Sequence, residues 1–387
     1  MRICYVLSTS EISGGANRSF IDLVSYIDRK KVIPVVLLRR KGEIENILKQ
    51  LDIPYMIIYY TNFITTGNKI KDFVKRLLDP FFTYQIKRFL MSNNIELVHN
   101  NSLPTLEGMT AAFDLGIPYI CHIRENVQRG LNVDFLDEKK HYKIMDNAAV
   151  NLAISNFVCK DYRRHVPTAG FFVLKDGLDI EQYLNQHKKI FDKENFTIGI
   201  YGNLDAQKGQ MDAVAATEIL IAQGIENIKL KITGNSNTEY GRQVKRYVDE
   251  KKLKQVVFYD PIIEQDMLRK SRKEDDINLI CSRAEGLGRV TIESMLTGCL
   301  TIGAEAGATP EIIDNNVTGL LYKCNDPNDL ANKIKLAILN RERSIEIAFT
   351  GREWAKKVFD IKEYVQKLVE IYENILGGFD VEHHNYF

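Results

Sequence analysis

Residues 196–222 read FTIGIYGNLDAQKGQMDAVAATEILIA. Phe196–Tyr201 has the β-branched and aromatic content of a buried strand. Gly202–Gly209 is a polar loop with a glycine at each end, and Gln210–Ala222 is rich in helix formers. A strand that enters a glycine loop and leaves as a helix opens a βαβ unit. The chain itself begins the same way. Ile3–Leu7 reads as a strand, Ser13-Gly14-Gly15-Ala16-Asn17 as the turn after it, and Ala16–Ile27 as a helix.

Short apolar runs follow each opening. In the first half they are Pro34–Leu38, Tyr55–Tyr59, Glu96–His99 and Tyr119–Ile123. In the second they are Lys229–Thr233, Val256–Tyr259, Ile277–Ile280 and Cys299–Gly303. Helical stretches lie between most of them, which predicts parallel sheets covered on both faces. The expected fold class is therefore α/β, two tandem doubly wound Rossmann-like domains. The length of 387 residues agrees, since single cores stop growing near roughly 250–300 residues. The expected domains are 1–170 and 171–357, followed by a C-terminal segment 358–387. In that last segment Asp360–Leu376 is an amphipathic helix with Tyr364, Leu368, Ile371 and Ile375 on one face. That face suits either a helix covering its own domain or one returning to the first.

Lys and Arg number 52 against 51 Asp and Glu, a net +1, which is unlike a dedicated nucleic-acid binder. The balance is a cancellation. Residues 1–170 hold 23 basic and 17 acidic residues (+6), and residues 171–387 hold the remaining 29 and 34 (−5). The six cysteines are scattered, with no zinc spacing and too few for a disulfide scaffold. No apolar run suits a signal peptide or a membrane span, so the expected location is a reducing cytoplasm.

Four loops could carry chemistry. In Cys281–Leu300, CSRAEGLGRVTIESMLTGCL, Glu285 follows a strand and precedes Gly286, Leu287 and Gly288. Val290–Thr297 is the helix after them, and Glu293 sits about one turn inside it. A glycine loop running into a helix N-terminus suits an anion, and a carboxylate at Glu293 could take two ribose hydroxyls. The plainer account is an exposed acid and a dipole-favoured one. In the Gly202–Gly209 loop, Lys208 is poorly placed for the dipole of the following helix unless an anionic ligand shares the site; the alternative is a solvated lysine. Gly14 and Gly15 permit close backbone approach, though the dinucleotide fingerprint is absent. In Gly307-Ala308-Thr309-Pro310-Glu311, Thr309 could cap a helix that has Pro310 in its first turn. His122 lies near the end of the strand Tyr119–Ile123, where open α/β sheets bind ligands. No DxD occurs that would hold a metal on a pyrophosphate.

These loops, in this order, resemble the retaining glycosyltransferases of the GT-B fold, specifically glycosyltransferase family 4. The resemblance rests on Gly14-Gly15, Gly202…Lys208-Gly209, EGLGRVTIE (Glu285–Glu293) and GATPEII (Gly307–Ile313). It implies two domains facing across a cleft, with a C-terminal helix returning to the N-terminal domain. It also implies transfer of a sugar from a nucleoside diphosphate sugar, a UDP-sugar first, with retained configuration, no metal and no further cofactor. The acceptor is a glycan or a lipid-linked glycan, as in the synthesis of cell-surface polysaccharide or glycoconjugate.

By the same resemblance Lys208 meets the diphosphate, Glu293 the ribose, and Glu285 with Gly286–Gly288 the sugar and phosphate. Gly14, Gly15, Gly202 and Asn203 line the donor, and His122 stands near the reacting sugar. The family's arginine after the second-loop glycine is Asn203 here, a loss for which Arg283 or Arg289 could compensate. That departure keeps two alternatives open: a sugar-nucleotide epimerase, and a non-catalytic accessory of another transferase.

Within 69–90, Ile70, Phe73, Val74, Leu77 and Leu78 recur at helical spacing. Lys69, Lys71, Lys75 and Arg76 lie among them, with Lys87 and Arg88 beyond. This is either a core-facing helix with a solvated basic face or a peripheral contact with an anionic membrane, on the inner face for a cytoplasmic enzyme.

Overall fold

A computed structural model describes residues 1–12, 14–128, 132–184, 189–261 and 264–378. Ser13 of the first glycine turn and the end of the 358–387 segment lie outside the described residues. The chain divides into two compact units, Met1–Leu178 with the segment from Ile361, and Asp179–Asp360.

The first unit is built on β1 (Arg2–Val6), β2 (Ile33–Leu38), β3 (Tyr55–Ile57), β4 (Leu97–Asn100), β5 (Tyr119–Ile123), β6 (Val150–Ala153) and β7 (Phe171–Val173). They form one parallel sheet in the order β3-β2-β1-β4-β5-β6-β7. Its helices are α1 (Gly15–Tyr26), α2 (Ile44–Gln50), α3 (Lys69–Ser92), α4 (Glu107–Leu115), α5 (Glu138–Asp146) and α6 (Asn156–Arg163). The second unit holds β8 (Phe196–Tyr201), β9 (Ile228–Thr233), β10 (Val257–Asp260), β11 (Ile277–Ile280), β12 (Leu300–Ala304) and β13 (Leu320–Tyr322). These are again all parallel, in the order β10-β9-β8-β11-β12-β13. Its helices are α7 (Gln210–Ala222), α8 (Glu239–Glu250), α9 (Gln265–Lys273), α10 (Arg289–Leu296), α11 (Pro327–Leu339) and α12 (Arg341–Val358). The last helix, α13 (Ile361–Leu376), belongs to the first unit.

Both sheets are doubly wound, as the alternation of strands and helices predicts. The units divide a few residues beyond the expected 170/171 and 357/358. The reason at the first boundary is β7, which pairs with β6 and so keeps Phe171–Val173 in the first sheet. At the second, α13 joins the first unit, where Ile361, Tyr364, Leu368, Val369 and Tyr372 share a core with Phe20, Leu23 and Val24 of α1. Tyr364 and Tyr372 also meet polar partners there. The Tyr372 hydroxyl reaches His99 Nδ1 at 2.6 Å and the Tyr5 hydroxyl at 3.2 Å.

The apolar stripe of α3 does not face the core. Asp79, Thr83, Ile86, Phe89 and Leu90 are buried instead, while Ile70, Phe73, Val74, Leu77, Leu78, Phe81 and Tyr84 are exposed. The core-facing account of this helix is thereby corrected. Burying Asp79 is tolerable because Lys140 of α5 pairs with it. Two of the basic residues also point inward: Lys75 Nζ donates to the carbonyls of Asn62 and Ile64, and Arg76 donates to that of Leu136. Near Gly307, the expected helix is a single 3-10 turn, Thr309–Glu311. Ala308 rather than Thr309 stands at its cap, and Pro310 is in the turn. Among the described residues, no helix is long and apolar enough to cross a membrane.

Candidate functional site

In the second sheet β8 and β11 are neighbours, and the strand order runs outward from them in opposite directions. That is the topological switch point, where open α/β sheets place ligands beyond the carboxyl ends of their strands. The two loops singled out from sequence leave from these two strands.

After β8 come Gly202 and exposed Asn203, then a 3-10 turn Ala206–Lys208 capped by Asp205, then Gly209. Gly209 has φ +65°, and a Cβ on it would stand 2.3 Å from the Cys281 carbonyl oxygen. Only glycine allows the β8 loop to lie this close to the β11 loop. After β11, Glu285 turns back, and Gly288 (φ +91°) caps α10. The backbone stitches the loops together: Arg283 N–H donates to the Gln207 carbonyl (2.8 Å), and Ala308 N–H to the Glu285 carbonyl (2.9 Å).

The result is an ion pair between Lys208 Nζ and Glu285 Oε1. Burial pushes the Glu285 carboxyl up, but the Lys208 charge and hydrogen bonds from Lys208 and Ser282 outweigh it and hold the group below its ordinary value. Tyr201, Lys208, Cys281, Ser282, Glu285 and Val290 line a recess of about 10 Å³ beside the pair, room for about one water. The first turn of α10 contributes N–H groups without intrahelical acceptors. A lysine cation, a helix N-terminus and a carboxylate therefore converge at one point. That arrangement can receive an anion whose neighbour carries hydroxyls.

Glu293 lies one turn deeper and is buried. Its Oε2 pairs with Arg272 Nη1 at 2.9 Å, and its Oε1 accepts from the Tyr183 hydroxyl at 3.2 Å; Arg289 Nε stands 3.9 Å away. The sequence reading identified Glu293 but neither Arg272 nor Tyr183. Nothing local announces a partner 110 residues distant. Of the two cations that could offset Asn203, Arg283 is committed to the Ala206 carbonyl and to Asn325, with Asp212 at 3.6 Å. Asn203 is itself part of the loop scaffold. Its Oδ1 accepts from Asn235 N–H (3.4 Å) and its carbonyl from Gln210 (3.0 Å). Leu287 is buried beneath the loop.

In the first unit Gly14 caps α1 and Gly15 opens it, both exposed. His122 is fully buried. Its Nδ1 meets His99 Nε2 at 3.0 Å and Arg124 Nη2 at 3.4 Å, and its Nε2 has no partner in the described chain. Burial pushes its pKa well down, with help from the charge on Arg124 and from His99. The charged groups just after this strand end are tied into the unit as well. Glu125 Oε1 accepts from the Ser102 hydroxyl (3.0 Å) and Leu103 N–H (3.1 Å), and Arg124 pairs with Asp176. Among the described residues, no group of three or more His, Cys, Asp or Glu is placed to hold a metal ion.

Residues 182–354 match the family model described as glycosyl transferases group 1. The chain is 34% identical over 97 residues to an uncharacterized glycosyltransferase of Methanocaldococcus jannaschii, covering 25% of this chain and 27% of that one. It is 22% identical over 215 residues to the capsular polysaccharide biosynthesis glycosyltransferase CapM of Staphylococcus aureus, covering 53% and 54%. The chain thus spans between about a quarter and a half of the length of these curated relatives. The solved structure of Anabaena Alr3699/HepE in complex with UDP superimposes with a TM-score of 0.79 at 20% identity, covering 97% of this chain and 100% of that one. That likeness shows the fold: two Rossmann-like α/β halves, as in GT-B glycosyltransferases.

Proposed function

We propose that this chain is a retaining glycosyltransferase that moves a sugar from a nucleoside diphosphate sugar to a glycan or lipid-linked acceptor in polysaccharide or glycoconjugate synthesis. The observation that carries this reading is the convergence of Lys208, Glu285 and the α10 N-terminus at the switch point of the second sheet. The group 1 match over 182–354 covers the same residues. A UDP-sugar is the first donor to test, because the Anabaena structure was solved with UDP.

The chemistry follows from charge. Departure of a diphosphate from an oxocarbenium-like centre is the difficult step. Lys208 is paired with Glu285. An incoming diphosphate takes over the Lys208 cation and faces the α10 dipole, which stabilise the negative charge as it develops. Glu285, released from its partner, is then free to accept hydroxyls of the transferred sugar. Gly286–Gly288 bring backbone to the phosphates, while Gly202 and Asn203 form the opposite rim. Glu293, presented by Arg272 and Tyr183, takes the ribose. Gly14, Gly15 and His122 are assigned to the donor by resemblance, and His122 would act through its unpartnered Nε2. No carboxylate pair like that of a retaining glycosidase is assigned, so the leaving phosphate itself takes the acceptor proton.

A panel of nucleoside diphosphates and their sugars in a thermal-shift assay, with and without EDTA, tests this. A ligand at 100 times its Kd stabilises by about 2.7 kcal/mol. Absence of any shift would sink the donor site, and strict loss with EDTA would sink the metal-free form of the reaction. Turnover of the nucleotide sugar without acceptor into an isomer would favour the epimerase. Nucleotide binding with no turnover on any acceptor would favour the accessory reading, which the Asn203 position motivates.

A further inference from the structure

The stripe on α3 is the largest unexplained feature of the first unit. Ile70, Phe73 and Leu77 are 76%, 66% and 67% exposed, and Val74, Phe81 and Tyr84 continue the row. At 3.6 residues per turn these six fall within an arc of about 100° and run along roughly 20 Å of helix. The opposite face, with Ile86, Phe89 and Leu90, is what the protein buries. Large side chains in one contiguous exposed row are uncommon on a soluble surface without a partner.

The charges around the stripe are sorted. Lys69 and Lys71 are exposed and project one from each edge of it, and exposed Arg88 continues its line. The one acid near its start, Asp72, is turned aside and accepts from the Thr66 backbone (2.8 Å) and hydroxyl (2.7 Å). Lys75 and Arg76 are spent on backbone carbonyls within the unit. What remains outward is a convex apolar ridge flanked by Lys69, Lys71 and Arg88, while Lys87 beside it is paired with Asp114 of α4 at 2.5 Å.

We propose that α3 is a membrane-docking helix that lies in the headgroup layer of an anionic lipid surface. Its apolar ridge enters the acyl boundary, and Lys69, Lys71 and Arg88 meet lipid phosphates. A convex ridge flanked by the exposed cations Lys69, Lys71 and Arg88 is complementary to such a surface. The net +6 of residues 1–170 adds to the attraction. Docking does not rest on the transferase reading: vesicle binding and nucleotide binding are measured separately, and either can fail alone.

The test is co-sedimentation of the full chain with vesicles of phosphatidylcholine alone and of phosphatidylcholine with phosphatidylglycerol in equal parts. Wild type is expected to pellet with the mixed vesicles. F73E/L77E, at exposed positions, is expected to lose at least tenfold in partitioning with an unchanged melting temperature. K69Q/K71Q loses roughly thirtyfold on anionic vesicles, at about 1 kcal/mol for each lysine. K75Q loses less than K69Q/K71Q, because the Lys75 ammonium is held against the carbonyls of Asn62 and Ile64 and away from the ridge. The proposal is overturned if wild type ignores anionic vesicles, if it binds neutral ones equally well, or if F73E/L77E pellets like wild type. It is equally overturned if wild type is a dimer in solution that F73E/L77E dissociates, since the ridge would then be an interface between copies.

Discussion

The Arg272 guanidinium and the Glu293 carboxylate meet at 2.9 Å with both side chains 3% exposed. Arg272 also lies over the Tyr201 ring, 4.5 Å from its centre. The pair thus fixes α9 to α10 directly beneath the candidate site. Removing one member of such a pair strands a charge and costs about 3–5 kcal/mol. Arg272→Met is therefore expected to lower stability by that order in urea unfolding. Arg272→Met combined with Glu293→Gln should cost less than the sum of the two single changes. Additive losses would show that the pair is not coupled.

Lys208→Met should weaken UDP binding by about 1.5–3 kcal/mol, tenfold to a hundredfold in Kd, while leaving the affinity for uridine nearly unchanged. Calorimetric titration with both ligands measures the difference. An equal loss for the two would place Lys208 away from the phosphates.

Gly199 sits in β8 against Asp275, and a Cβ there would fall 2.0 Å from Asp275 Oδ2. That carboxylate cannot retreat: Tyr201 donates its hydroxyl to it at 2.5 Å, Asn278 its amide at 2.9 Å, and Lys231 pairs at 2.7 Å. Gly199→Ala is expected to destabilise the second unit by about 1–3 kcal/mol, an overpacking cost. A change within experimental error of zero in the unfolding midpoint would contradict this.

Glu107, fully buried at the start of α4, titrates near pH 7 rather than 4.5 because burial disfavours its charge. Between those values the folded chain keeps a proton that the unfolded chain has released, so stability falls as pH rises through the window. Glu107→Gln removes this contribution. Relative to wild type, the variant should be more stable at pH 7.5 than at pH 5, read from urea midpoints. The buried His99, pushed down to about 3 by burial and by the charge on Arg124, works in the other direction. Its cost grows as pH falls below 6.5, equally in both proteins.

The strand-and-loop pattern was readable because each opening strand is long and apolar and each glycine turn has a backbone reason. β6, β7 and β13 escaped, being runs of three or four residues whose pairing comes from neighbours in the sheet. Lys208 and Glu285 were both identified on their loops. Their contact depends on β8 lying beside β11, which is a property of strand order rather than of either motif. The orientation of α3 was hidden for a related reason. Its period is visible in the sequence, but the side it buries carries Asp79, whose partner Lys140 lies 61 residues further on. His122 was singled out by its place near a strand end, yet β5 is buried along its whole length and His122 with it.

The last described helix completes the first unit's core, and this sets an order of events during synthesis. Residues 179–360 are contiguous, and their core is complete without the residues on either side. In the first unit, the core around Phe20 and Leu23 of α1 and Leu97 of β4 lacks the side chains of Ile361–Tyr372 until these leave the ribosome. On a chain built from its N-terminus, the unit made first is thus the one finished last. Throughout translation of the second half, the nascent first unit is short of the apolar residues that α13 adds to its core.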